Sequence, residues 1–149
     1  MQHSVRTMAF AVLLALPAAA SAAMPVIEVF KSATCGCCED WTKHLTEHGF
    51  TVKTSNVSDP SDYRQKFGIP SELGSCHTAK IGAYAIEGHV PASQIKRLVK
   101  SGVKARGLAV PGMPHGSPGM DTGRSDPCDV LLIQPDGRTT VYKHYSGKS

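Results

Sequence analysis

The sequence lacks an apolar run long enough to cross a membrane: Met8 to Leu16 is well short of the ~20 residues a span needs. It lacks internal repeats, which excludes a solenoid. It has no basic block and little aromatic interleaving. The basic residues are scattered, as in "QIKRLVK", and the net charge is only +4, so a nucleic-acid role is poorly supported. Five cysteines is an odd number, so one chain cannot pair all of them in a disulfide framework.

What is present begins with a leader. Arg6 supplies a positive start, "MAFAVLLAL" a short apolar core, Pro17 a break and "AAASAA" a small-residue end. This pattern predicts a secretory signal peptide over residues 1–22, cleaved after Ala22. Export follows, and in a bacterium the destination is the periplasm. Residues 23–149 are then a single domain with a net charge of about +3, because Arg6 leaves with the leader.

"MPVIEVFKS" alternates like a strand, and "CEDWTKHLTEHGF" reads as a helix with Trp41 and Leu45 spaced i, i+4. "FTVKTSNV" is a second strand, completing a βαβ unit with cysteines at its first turn. A short helix follows in "DPSDYRQKFGIP", then two short strands turning near Gly82 in "TAKIGAYAIEG". "PASQIKRLVKSG" is a helix presenting Ile95, Leu98 and Val99 on one face. The Gly/Pro-rich stretch from Val103 to Asp129 has no usable periodicity, and structureless runs of ~20 residues are often functional. "DVLLIQPDGRTTVYKHY" closes the chain as a hairpin with a Pro-Asp-Gly turn. The order predicts an α/β, thioredoxin-like layout: a central mixed sheet with flanking helices and an additional C-terminal β-hairpin.

The chemistry concentrates in "SATCGCCEDW", where Cys35, Cys37 and Cys38 open the first helix. A helix start offers free N–H groups and a positive dipole end, which stabilise thiolates. Cys35 and Cys38 have C-x-x-C spacing and could form a disulfide, yet Cys37 would compete for either partner. Three converging thiolates instead make a soft site, which favours Cu(I) and also suits Zn(II) or an iron–sulfur cluster. Gly36 is expected to supply the tight turn. An oxidising compartment tends to consume unpaired thiols, so keeping three together suggests protection by a metal.

Other candidate ligands are Cys76, in the loop "GSCHT", and Met113, His115 and Met120 in "PGMPHGSPGM". Those methionines lie among Gly and Pro with no apolar face, and thioethers suit Cu(I). His77 is a weaker candidate, and His89 and His144 read as structural or exposed. His44, Glu47 and His48 match the H-x-x-E-H zinc-peptidase spacing, but the chain is small for a peptidase, and a solvated helix face fits better. Cys128 reads as a small buried apolar residue.

At these residues the chain resembles the CopG-like family of small exported bacterial proteins, which carry a C-x-C-C motif on a thioredoxin-like fold among copper-resistance functions. "CGCCEDW", "GSCHT", "VPGMPHGSPGM" and the C-terminal hairpin carry the resemblance over nearly all the mature chain. It implies copper handling in the periplasm, a cysteine-bound copper cluster and interconversion of Cu(I) and Cu(II). It implies that Cys35, Cys37, Cys38 and Cys76 supply sulfur and that the Met113–Met120 loop lies over the cluster. Cys128 departs from the pattern, where a tyrosine or another larger residue is expected.

The sequence thus predicts a copper-binding protein of copper homeostasis, with copper ions and other periplasmic copper-resistance proteins as partners. The rival readings are a thiol–disulfide oxidoreductase using Cys35 and Cys38, and a zinc-binding interaction module.

Overall fold

The computed structural model describes residues 24–147, so the expected leader over 1–22 lies outside the described residues. The seven strands are β1 (Ile27–Lys31), β2 (Val52–Asn56), β3 (His77–Ile81), β4 (Tyr84–Glu87), β5 (Gly107–Ala109), β6 (Cys128–Ile133) and β7 (Thr139–Tyr145). The helices are α1 (Gly36–Glu47), α2 (Pro60–Lys66) and α3 (Ala92–Ser101), with one 3-10 turn at Ser71–Leu73. The strands form one mixed sheet in the order β2-β1-β3-β4-β5-β6-β7. β1 runs parallel to β2 and β4 parallel to β5, while every other neighbouring pair is antiparallel.

Alternation along β1 explains the layers. Ile27 and Val29 point to one face and join Trp41 and Leu45 of α1 with Ile95 and Leu98 of α3 in the main core. Phe30 points to the other face and stacks on Tyr63 of α2, with ring centroids 3.8 Å apart. Ile69 and Leu73 extend that smaller layer over Ala85, Ala109 and Ile133. α1 and α3 therefore cover one face, and α2 with the 3-10 turn covers the other. The edge strands β2 and β7 are largely exposed and carry polar residues such as Lys53, Thr54, Lys143 and His144, which discourages pairing with another chain.

Two features pin the ends of elements near the cysteines. Lys31, the last residue of β1, is fully buried beneath α1. Its ammonium donates to Ser32 O and pairs with Glu39 in the first turn of α1. Across the sheet, Glu87 is also buried and accepts from Arg64 Nε (2.8 Å), Ser75 N (2.7 Å) and Thr78 Oγ1 (2.7 Å). That carboxylate fixes the loop entering β3, one residue before Cys76.

The stretch from Val103 to Asp129 is not wholly irregular. Gly107–Ala109 forms β5, inserted between β4 and β6, and this strand joins the C-terminal hairpin to the rest of the sheet. Three residues are too few to display a period. Gly107 is needed there because a side chain would collide with the Ala85 backbone.

Candidate metal centre

The site is built at the end of β1 and the start of α1. Cys35 has extended backbone and occupies the N-cap of α1, while Cys37 and Cys38 lie in its first turn. Cys38 is fully buried, and Cys37 is half-buried. Gly36 does not have a positive φ, and a Cβ there would meet open space, so the expected need for glycine at this turn does not hold.

Cys35 and Cys38 are joined by a disulfide, with Cα atoms 5.3 Å apart. The other sulfurs close a ring around the bond. Cys37 Sγ lies 3.6 Å from Cys35 Sγ and 3.7 Å from Cys76 Sγ, and Cys76 Sγ lies 3.5 Å from Cys38 Sγ. All four sulfurs fall within 4.8 Å of one another. The loop before β3 thus brings Cys76 onto the helix start, as its sequence context predicts.

Two histidines extend the site beyond its sulfurs. Cys76 Sγ is 3.4 Å from His77 Nδ1 and 3.1 Å from His89 Nε2. Both rings are fully buried. Carbonyls hold their far nitrogens: Gly88 O is 3.1 Å from His77 Nε2, and Pro118 O is 2.8 Å from His89 Nδ1. A carbonyl only accepts, so those nitrogens carry the protons and the lone pairs face Cys76. Burial, followed by the neighbouring His89, lowers the His77 pKa to about 3. Burial also lowers that of His89. Both imidazoles are therefore neutral, the state in which they ligate metals. Trp41 packs on the His77 ring at 4.3 Å, with its indole N–H donated to Val90 O.

The thiol at the centre is the opposite case. Burial, then the Cys37 thiol beside it, pushes Cys76 up to about 12. Without a cation Cys76 therefore keeps its proton, and a soft cation would displace it.

Donors that share one metal ion at about 2.0–2.3 Å stand roughly 3.3–3.8 Å apart. Most of the separations above fall in or close to this range, so the geometry suits a shared ion. The chemistry agrees, since clustered thiols with neutral imidazoles form a soft donor set suited to Cu(I) or zinc. While the bridge is closed, Cys37, Cys76, His77 and His89 remain available. Reducing the bridge returns Cys35 and Cys38.

The Gly/Pro-rich loop is tied to both cysteine segments. Gly112 N donates to Gly74 O and Ser75 Oγ donates to Gly112 O, beside Cys76. Gly119 presses on α1, where a Cβ would come within 2.6 Å of Cys37 O and 2.8 Å of Trp41 N. Met113 and Met120 each adjoin one of these anchors. Met113 is 51% exposed and Met120 half-buried. His115 stands outside both donor groups, and its Nδ1 lies 2.6 Å from Thr122 Oγ1.

His89, read as structural or exposed, is the residue the sequence reading missed. His77, read as the weaker candidate, also touches Cys76. His144 is exposed and bonded to Asp129. The H-x-x-E-H segment makes no donor group, but His44 is not simply solvated: its Nε2 accepts from Ala92 N (3.1 Å) and caps α3. Cys128 is half-buried, and it lines a cavity of about 230 Å³ that reaches His89.

These features define a mixed α/β domain with a soft sulfur–imidazole donor cluster at a helix start. A family model described as a protein of unknown function, DUF411, matches residues 73–120, the segment holding Cys76, both buried histidines and the methionine loop. Two solved structures of a copper resistance protein, CopG, are similar over most of the chain. Form 2 is 42% identical, covering 82% of this chain and 98% of that one, with a TM-score of 0.78. Form 1 is 43% identical, covering 83% and 99%, also at 0.78. No curated protein matches. The chain belongs to the CopG family.

Proposed function

We propose that this is an exported, periplasmic copper-binding protein of copper homeostasis and resistance, which holds Cu(I) through its sulfur cluster and interconverts Cu(I) and Cu(II). One observation carries the reading: four sulfurs and two neutral imidazoles converge where the helix start favours thiolates. The naming of the similar structures as copper resistance proteins supports copper over zinc. The thioredoxin-like assignment belongs to the same proposal and is supported by the sheet order β2-β1-β3-β4 with α1 crossing between parallel strands. Residues 1–22 support export, and other periplasmic copper-resistance proteins are the proposed partners.

In this reading Cys35, Cys37, Cys38 and Cys76 bind the ion or share several ions by bridging. His89 and His77, which both reach Cys76, would add neutral nitrogen donors. Met113 and Met120 sit on the loop that closes the outer side. The bound Cu(I) supplies the one-electron chemistry.

The test is anaerobic titration of the reduced protein with Cu(I) against a competing chelator. Retention of copper, abolished when Cys35, Cys37 and Cys38 become serine, is the expected result. No retention, or full retention by the triple variant, overturns it.

A second reading, thiol–disulfide exchange, is favoured by the Cys35–Cys38 bridge itself. It requires metal-free protein to turn over a disulfide substrate with Cys37 dispensable.

A further inference from the structure

The sulfur ring divides into two pairs of different character. Cys35 and Cys38 are bonded to each other, and their Cα separation of 5.3 Å lies within the range a disulfide accepts without moving the backbone. Cys37 and Cys76 are unbonded, 3.7 Å apart, and Cys76 keeps His89 Nε2 at 3.1 Å. Closing the first pair therefore leaves Cys76 with Cys37 on one side and with His77 and His89 on the other. Two sulfurs and one imidazole suit Cu(I) better than Cu(II), which prefers harder nitrogen and oxygen donors in a tetragonal plane.

We propose that Cys35 and Cys38 are an electron-donating pair that reduces Cu(II), while Cys37, Cys76 and His89 retain a Cu(I) product. This rests on the copper-binding reading above and names the source of its electrons. The two thiolates together lose two electrons as the S–S bond forms. Two Cu(II) ions each gain one and become Cu(I). Where the thiols start protonated, two protons pass to solvent. No other oxidant or reductant enters. Resetting the site takes two electrons and two protons from a dithiol donor, which leaves as a disulfide.

The arrangement explains the third cysteine inside the C-x-x-C spacing. A two-thiol site that spent its electrons would lose its sulfur ligands and release copper at once. Here Cys37 shares a helical turn with the donor pair but is not consumed by it, and it reaches Cys76 on the facing loop.

The experiment uses the reduced, metal-free Cys128→Ser protein under anaerobic conditions, so that the remote thiol does not contribute. Two equivalents of Cu(II) are added with a chromogenic Cu(I) chelator. The expected result is two Cu(I) per chain, loss of two of the four thiols, and a peptide map with the new bridge at Cys35–Cys38. The bridged product, stripped of metal, then takes up one Cu(I), and Cys37→Ser weakens that uptake at least 10-fold. Cu(I) formation with all thiols intact, no Cu(I) formation, or a bridge mapped to Cys37–Cys76 overturns the proposal. If the reduced protein binds Cu(I) yet leaves Cu(II) unreduced, this inference fails and the copper-binding reading stands. If it does not bind Cu(I), both fail.

Discussion

Cys76 Sγ and His89 Nε2 meet at 3.1 Å although thirteen positions separate them in the chain. The β3–β4 hairpin makes the meeting. Its register pairs Ile81 with Tyr84 across the two-residue turn and runs back to Thr78 opposite Glu87. Gly88 N donates to His77 O, continuing the ladder. One further step sets Cys76 against His89, on the side facing the cysteines of α1.

His89→Ala is therefore expected to weaken Cu(I) retention by on the order of 10–100-fold, while His144→Ala, an exposed control, leaves it unchanged. Competition against a Cu(I) chelator measures both. Equal retention by the two variants would place His89 outside the copper site.

Arg64 is the charged partner of the buried Glu87, and removing one member of a buried pair strands the other. Arg64→Ala is expected to destabilise the fold by about 3–5 kcal/mol. Adding Glu87→Gln should recover part of the loss, since a neutral amide needs no counter-charge. Urea unfolding of the single and double variants checks this, and a double variant less stable than Arg64→Ala contradicts the account.

Gly119 and Gly112 separate crowding from backbone preference. Both have positive φ, at +83° and +67°, but only Gly119 lies against another backbone. Gly112→Ala should cost roughly 1–2 kcal/mol from conformation alone. Gly119→Ala should cost more and lift the loop from α1, changing the near-ultraviolet signal of Trp41. Identical effects at the two sites would show that the contact with Cys37 and Trp41 contributes nothing.

His44 provides a pH-dependent contact. Burial, then His48, lowers its pKa, so it is neutral when folded and accepts from Ala92 N. The unfolded chain protonates it near its ordinary value of about 6.5. Below that pH the unfolded state binds more protons, so the contribution, complete above 6.5, fades as pH falls through the lowered value. The urea midpoint of the wild type should drop more steeply from pH 7 to 5 than that of His44→Gln, which keeps an acceptor but does not titrate. Parallel curves would remove His44 from the pH response.

Much of this was legible from residue order. Period-two alternation marked β1, the i, i+4 pair Trp41 and Leu45 marked α1, and three cysteines at a strand–helix junction marked the site. Counting back from the turn at Gly82 could also have placed His89 opposite Cys76, but that count depends on a turn of two residues rather than three. β5 gave no such signal, because its three residues, Gly107 to Ala109, show no period and are held by their neighbours β4 and β6.

The sequence by itself determined the local features: which segments are strands and helices, and that soft donors cluster at the head of α1. These follow from interactions within a few residues, namely side-chain periodicity, helix-end electrostatics and turn chemistry. Only the tertiary structure decided that His77 and His89 join Cys76 beside that cluster, that Gly119 closes against α1, and that His44 caps α3. Those outcomes depend on how strands pair and which faces are buried. Packing sets them across the whole sheet, and no short window of residues contains them.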